Sequence, residues 1–198
     1  MPYEHRQVVW LTGLSGAGKS TVAACLIRRL QALKISTCLL DGDDLRQGPH
    51  QDLGFSPADR REHIRRTAHL ARLLRHQGHQ VLVALISPLR EDRDMARQII
   101  TPAGMLEVYV DTPLEVCMSR DSKGLYVQAR QQKLTQMSGM DSPYQAPLQP
   151  DFRIDHEQPL APQVDLLMRS MLHSQIIETH DSAPLSASTL WNLDDDPA

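Results

Sequence analysis

Gly13-Leu14-Ser15-Gly16-Ala17-Gly18-Lys19-Ser20-Thr21 follows directly on the apolar run Val8-Val9-Trp10-Leu11. It leads into Val22, Ala23, Leu26, Ile27, Leu30 and Leu33, which recur at helical spacing. The stretch satisfies the pattern G-x-x-x-x-G-K-[ST] and stands where that pattern has a mechanism, between a strand and a helix. Its glycines let backbone N–H groups wrap phosphate oxygens, and the helix N-terminus adds a partial positive charge. Lys19 is then placed to reach the β- and γ-phosphates of ATP and the Ser20 hydroxyl to hold Mg²⁺, with all nine residues from Gly13 to Thr21 lining the nucleotide site. Chance alone puts the four fixed positions into roughly 1% of chains of this length.

Outward from this loop, short apolar runs alternate with helical patterns. Strands are expected at Val8–Leu11, Thr37–Leu40, Val81–Ile86, Met105–Val110 and Phe152–Ile154. Helices are expected from Val22, from Pro57 behind the N-cap Ser56 until Gly78, and at Glu91–Ile100, Leu114–Arg120, Leu125–Leu134 and Val164–Leu172. Continuous apolar strands in alternation with helices imply an α/β fold: a five-stranded, mostly parallel sheet covered on both faces. Ligands in such folds sit at the carboxyl ends of strands, here just after residues 11, 40, 86 and 110. Residues 135–150 form a long, proline-punctuated loop, the expected lid.

With 198 residues, 41% hydrophobic and 4% aromatic, the chain matches one aliphatic domain, expected over residues 1–174. The longest apolar runs are too short for a membrane span, and neither a signal peptide nor a nucleic-acid motif is expected. Cys25, Cys38 and Cys117 lie in apolar stretches without ligand spacing and read as reduced thiols of a cytoplasmic protein. The net charge of −3 is uneven, because residues 175–198 hold five acids and no Lys or Arg. Without them the count is 19 acidic against 21 basic residues, so the folded part is near +2 and the acidic end reads as a disordered tail from Asp181 onward.

The loop alone leaves several phosphate-binding classes open. No N-K-x-D motif reads a guanine, and the third strand ends in Leu85-Ile86-Ser87 rather than in a metal-holding acid. The acids cluster instead after the second strand, at Asp41, Asp43 and Asp44. Residues 46–97 contain ten arginines, no lysine and six acids. Arginine offers a planar fork for phosphate or sulfate oxygens. Arg60 and Arg61 lie near a helix start, where the dipole disfavours cations and a bound anion would resolve the conflict. Distal Arg72 and Arg75 read as solvated helix face. A phosphate-loop kinase acting on a small acceptor is the reading these features share.

Asp41-Gly42-Asp43-Asp44-Leu45-Arg46 and Asp52-Leu53-Gly54-Phe55-Ser56-Pro57-Ala58-Asp59-Arg60-Arg61-Glu62-His63-Ile64-Arg65-Arg66 resemble the adenylylsulfate kinase family. So do Ser87-Pro88-Leu89-Arg90-Glu91-Asp92-Arg93-Asp94, the run from Val110 to Cys117, Lys123-Gly124-Leu125-Tyr126 and the run from Ser138 to Tyr144. The resemblance is colinear over about residues 7–174. It implies transfer of the ATP γ-phosphate to the 3′-hydroxyl of adenosine 5′-phosphosulfate (APS), giving 3′-phosphoadenosine 5′-phosphosulfate (PAPS) and ADP. It implies further that Phe55 stacks on the acceptor's adenine and that Arg46 and Arg60 hold its phosphosulfate. His63, Ile64, Lys123, Leu125 and the lid would complete the acceptor site. Asp43 is placed to accept the hydroxyl proton or to order Mg²⁺ through water. Ser87 is implied as a phosphoserine, with direct in-line transfer left open beside it. A homodimer follows by the same analogy.

The chain departs from the family pattern at Asp44, His63, Leu89, Lys133 and Met137, where the family usually has Asn, Asn, Tyr, Glu and an aromatic. These positions sit on the acceptor side. A kinase of another small nucleotide, or a regulatory module that binds nucleotide without turnover, therefore stays open at this stage. His63 reads as a neutral helix histidine before it reads as a catalyst, and Tyr126 as core or nucleotide contact in equal measure.

Overall fold

The apolar runs assemble into one sheet of order β2-β3-β1-β4-β5, parallel throughout. The strands are β1 (Val8–Thr12), β2 (Thr37–Asp41), β3 (Gln80–Ala84), β4 (Met105–Asp111) and β5 (Phe152–Asp155). The computed structural model describes residues 7–101, 104–133 and 135–171 in full and the backbone alone of 172–181.

Successive side chains of a strand point to opposite faces, and β1 divides its residues accordingly. Val9 and Leu11 join a core with Leu26 and Leu30 of α1 (Lys19–Ala32) and Val164 and Leu167 of α7 (Leu160–Asp181). Val8 and Trp10 join the opposite core with Ile64, Ala68 and Ala71 of α3 (Pro57–His76) and Ala96 and Ile100 of α4 (Arg90–Ile100). Both layers are needed because the central strands are buried on each side.

The α3 helix begins as its sequence directs. Ser56 Oγ accepts from Asp59 N at 3.1 Å and donates to the Asp59 carboxylate at 2.7 Å, with Pro57 behind it. The sheet also corrects several expectations. A short helix, α2 (Gly42–Gln47), follows β2 directly, N-capped by Asp41. It leaves no periodic signal because Leu45 is its one buried residue. The third strand releases the chain at Ala84, earlier than Ile86. After α5 (Leu114–Arg120), α6 covers Leu125–Arg130 and stops short of residue 134, which lies outside the described residues. Helix α7 starts before Val164 and continues to Asp181, past the expected boundary at 174. The rest of the expected tail, residues 182–198, lies outside the described residues.

Candidate active site

The carboxyl ends of the strands open into a cleft of about 760 Å³. The phosphate loop forms its floor. Gly13 takes φ of 152°, and a Cβ on it would stand 2.7 Å from the Val110 carbonyl, so only glycine lets β1 hand the chain into the loop beside β4. Two side chains brace the loop from behind: Thr112 Oγ1 donates to the Ala17 carbonyl at 2.9 Å, and Tyr126 Oη donates to the Ser15 carbonyl at 2.8 Å. Tyr126 is 2% exposed, which makes it a support of the phosphate loop rather than a direct nucleotide contact. Lys19 Nζ folds onto its own loop, donating to the Gly13 and Leu14 carbonyls at 2.8 and 2.7 Å. Burial lowers its pKa to about 8, because the charged form loses water.

Ser20 Oγ donates to Asp41 Oδ2 at 2.8 Å, and Asp41 Oδ1 accepts from Asp43 N at 3.0 Å. Asp41 is therefore the direct carboxylate partner of Ser20. Asp43 pairs instead with Lys123, which spans from the α5–α6 loop to α2. The sheet order puts these two elements on opposite sides of β1, so the ion pair bridges the cleft.

On the α2–α3 side, Phe55 is half exposed, with the guanidinium of Arg46 4.5 Å and that of Arg60 5.5 Å from its ring centre. Arg46 Nη1 donates to the Leu53 and Gly54 carbonyls, at 3.1 and 2.8 Å. Arg60 Nε donates to the Phe55 carbonyl at 2.9 Å and Nη2 to the Gln136 carbonyl at 2.5 Å. Burial makes the charge of both guanidiniums costlier, a cost that an anion in the cleft would offset. The other arginines of residues 46–97 serve the scaffold. Arg72 and Arg75 donate to the Ile99 and Ile100 carbonyls, tying α3 to α4. Buried Arg93 pairs with Glu107 at 2.7 Å and holds the Ser87 and Gln145 carbonyls, both at 2.7 Å.

Ser87 is buried in the cleft wall and sits at φ of 39°, a strained position just past β3. Its Oγ accepts from Trp10 Nε1 at 3.2 Å, and among the described residues it has no base as partner. A hydroxyl needs an adjacent base to become a nucleophile, so this geometry favours a hydrogen-bonding role. His63 and Ile64 are also buried in the wall, and Leu125 lines it.

The expected lid divides in two. Residues 145–151 are tacked to α4: Arg90 N donates to Gln145 Oε1, Arg90 Nε to the Ala146 carbonyl, and Arg97 pairs with Asp151. Residues 136–144 fold over the loop, with Met137 5% exposed in the core and Gly139 against Leu14. Met137 lines the cleft at the same time.

The structure thus gathers Gly16 to Thr21, Asp43, Arg46, Phe55, Arg60, His63, Ile64, Ser87, Lys123 and Leu125 around one cleft, with Ser15 beside them. Gly13 and Leu14 act one layer behind, as carbonyl partners of Lys19. Sequence reasoning named Asp41 in the acidic cluster without giving it a role of its own, and passed over the roles of Thr112, Arg120 and His50. Only Asp41 left a signal, as the cap-forming first acid of Asp41-Gly42-Asp43.

Comparison with known proteins shows what the chain as a whole is similar to. The family model described as adenylylsulphate kinase matches residues 5–155. An adenylyl-sulfate kinase of Burkholderia ambifaria is 55% identical over 147 residues, covering 74% of this chain and 81% of that protein. One of Vibrio cholerae is 56% identical over 145 residues, covering 73% of this chain and 67% of that protein. The solved structure of the Mycobacterium tuberculosis APS kinase CysC in complex with AMPPNP and APS superposes with a TM-score of 0.81 at 47% identity, covering 85% of this chain and 98% of that one.

Proposed function

The chain belongs to the adenylylsulphate kinase family, and from that premise we propose how its cleft performs the reaction. The protein is an adenylyl-sulfate kinase: the 3′-oxygen of APS bonds to the γ-phosphorus of ATP, the bond from that phosphorus to the β–γ bridging oxygen breaks, and PAPS and ADP leave. The observation that carries the assignment of parts is the division of one cleft between a phosphate loop and an arginine-flanked aromatic.

Catalysis of phosphoryl transfer is mainly positioning and neutralisation of charge. The backbone N–H groups of Gly16 to Thr21 hold the ATP phosphates. Lys19 exchanges its two loop carbonyls for phosphate oxygens, which restores the charge that burial disfavours. Phe55 stacks on the acceptor's base, and Arg46 and Arg60 exchange carbonyls for phosphosulfate oxygens. Asp43, released from Lys123, takes the proton of the 3′-hydroxyl. Lys123, Leu125, Ile64 and Met137 close the acceptor's surroundings. Ser87 orients the acceptor through a hydrogen bond, and transfer runs directly in line.

The donors around Ser20 suit Mg²⁺, a hard cation that takes hydroxyl, carboxylate and phosphate oxygens and keeps several waters. Ser20 would hold it, with Asp41 and Asp43 supporting its waters. When bound, it neutralises charge on the β- and γ-phosphates. Free Cys25, Cys38 and Cys117 support a reducing, cytoplasmic setting, and among the described residues no helix is long and apolar enough to cross a membrane. Pairing of two copies into a homodimer rests on family analogy.

The test is ADP release from ATP with Mg²⁺ and APS, with other nucleotides as competing acceptors. Release dependent on APS is expected. Release with another nucleotide but not with APS would overturn the acceptor assignment, and nucleotide binding without turnover would overturn the enzyme.

A further inference from the structure

Phosphoryl transfer as described makes no use of one contact in the α3 wall. His50, in the turn after α2, and His63, early in α3, face each other with Nδ1 atoms 2.8 Å apart. Their rings meet edge to face, 4.8 Å between centroids and 88° between planes. Both are buried, 4% and 5% exposed, and only His63 lines the cleft.

A hydrogen bond between two imidazole nitrogens requires a proton on one and a lone pair on the other. The neutral pair therefore has two arrangements, and each fixes what the far nitrogen of His63 offers. That nitrogen, Nε2, points toward the start of α2: a Cβ on Gly42 would stand 3.8 Å from it. Both rings are held neutral. Burial lowers His63 to a pKa of about 3, reinforced by Arg46, His50, Arg60 and Arg66. Burial also lowers His50, with Arg66 and Arg46 reinforcing it and Asp52 and Glu62 opposing.

The chemistry of the cleft separates the two arrangements. An anionic acceptor oxygen needs a donor at His63 Nε2, which leaves Nδ1 of His63 bare and puts the bridging proton on Nδ1 of His50. The cations acting on His63 from the cleft side are Arg46 and Arg60. Both guanidiniums already donate to backbone carbonyls, and an anionic nucleotide neutralises them further, so neither bars a proton on His63 Nε2.

We propose that His50 is a positioning residue for the acceptor nucleotide: its Nδ1–H donates to His63 Nδ1 and locks His63 with its proton on Nε2, a fixed donor to a hydroxyl or phosphosulfate oxygen. The proposal rests on the acceptor-site reading above. It makes the histidine pair one unit, in which the member outside the cleft decides how the member inside it recognises oxygen.

Steady-state kinetics and imidazole ¹⁵N spectroscopy of the full chain test it together. His50→Leu is expected to raise KM for APS about three- to ten-fold, the loss of one neutral hydrogen bond, while kcat and KM for ATP stay within about two-fold. His50→Asn, whose amide N–H occupies the place of Nδ1–H, is expected to recover most of that loss. The ¹⁵N spectrum of the unmodified protein is expected to show His63 protonated on Nε2 alone from pH 6 to 9. A His63 protonated on Nδ1, an equal rise in both KM values, or no recovery with Asn would overturn the proposal. If His50→Leu does not fold, the spectrum of the unmodified protein decides. Failure of the unmodified protein to turn over APS would instead refute the acceptor-site reading, because the spectrum reads the tautomer without substrate.

Discussion

The phosphate loop keeps its shape through glycine backbone geometry and through Thr112 and Tyr126, partners that no ligand has to displace, whereas Arg46, Arg60 and Lys123 on the acceptor side are engaged with groups of their own chain. On the proposed assignment of parts, only Lys19 turns to meet its ligand in the first half. In the second, carbonyls and a carboxylate are exchanged for substrate oxygens one by one. A preorganised half lowers the barrier to transfer, because its dipoles need no reorganisation. A half that exchanges partners sets affinity and selectivity, because each exchange returns little unless the substrate fits. Changes in the loop should therefore appear in kcat, and changes around α2 and α3 in KM for the acceptor.

The largest effect is expected for Lys19→Ala, a fall in kcat on the order of 10³-fold or more from the loss of charge at the transferring group. Turnover near that of the unmodified enzyme in an ADP-release assay would break the contrast at once. Arg60→Ala should raise KM for APS roughly 10- to 100-fold, the range of a charge-assisted hydrogen bond. It should leave KM for ATP within about two-fold; if both constants rise equally, the two halves are not separable. Tyr126→Phe removes only the hydroxyl behind Ser15 and should cost about 1 kcal/mol in unfolding free energy. It should also weaken binding of an ATP analogue about five-fold while KM for APS stays unchanged.

A pH effect sharpens the same contrast. Lys19 has a pKa of about 8 when it is buried without phosphate, and phosphate oxygens raise it by favouring the charged form. Between about 8 and its ordinary value, nucleotide binding must take up a proton, so affinity falls as pH rises past 8 and is independent of this group below that. Calorimetry in two buffers of different ionisation enthalpy at pH 8.5 reads the uptake directly. No uptake would mean that the lysine is already free of its burial cost. The smallest effect is expected from removing residues 182–198, which should leave kcat and both KM values within about two-fold; the acidic end then belongs to neither half.

Much of this was open to reading in the chain itself. Gly13 to Thr21 could be identified because its function is local: consecutive residues supply both the turn and the donors. The strands were legible because a central parallel strand is buried on both faces and shows as an apolar run. Phe55 stood out as one of two phenylalanines, set in a polar loop. The short α2 was not legible, since six residues with one buried side chain carry no period. Nor was the division of labour among ten arginines, because Arg60 and Arg93 look alike until the fold places one on the cleft and the other on Glu107.

What the sequence determined alone was the order of the strands and of every helix but α2, the phosphate loop, and the end of the strands at which the site lies. These follow from periodicity and from contacts between near neighbours in the chain. The tertiary structure decided the partners: Asp41 on Ser20, Tyr126 behind Ser15, Lys123 across to Asp43, His50 behind His63. Three of those four pairs join residues more than 20 positions apart, and the fourth ties the turn after α2 to the start of α3. Such pairings depend on where separate elements are packed, which composition and spacing do not specify.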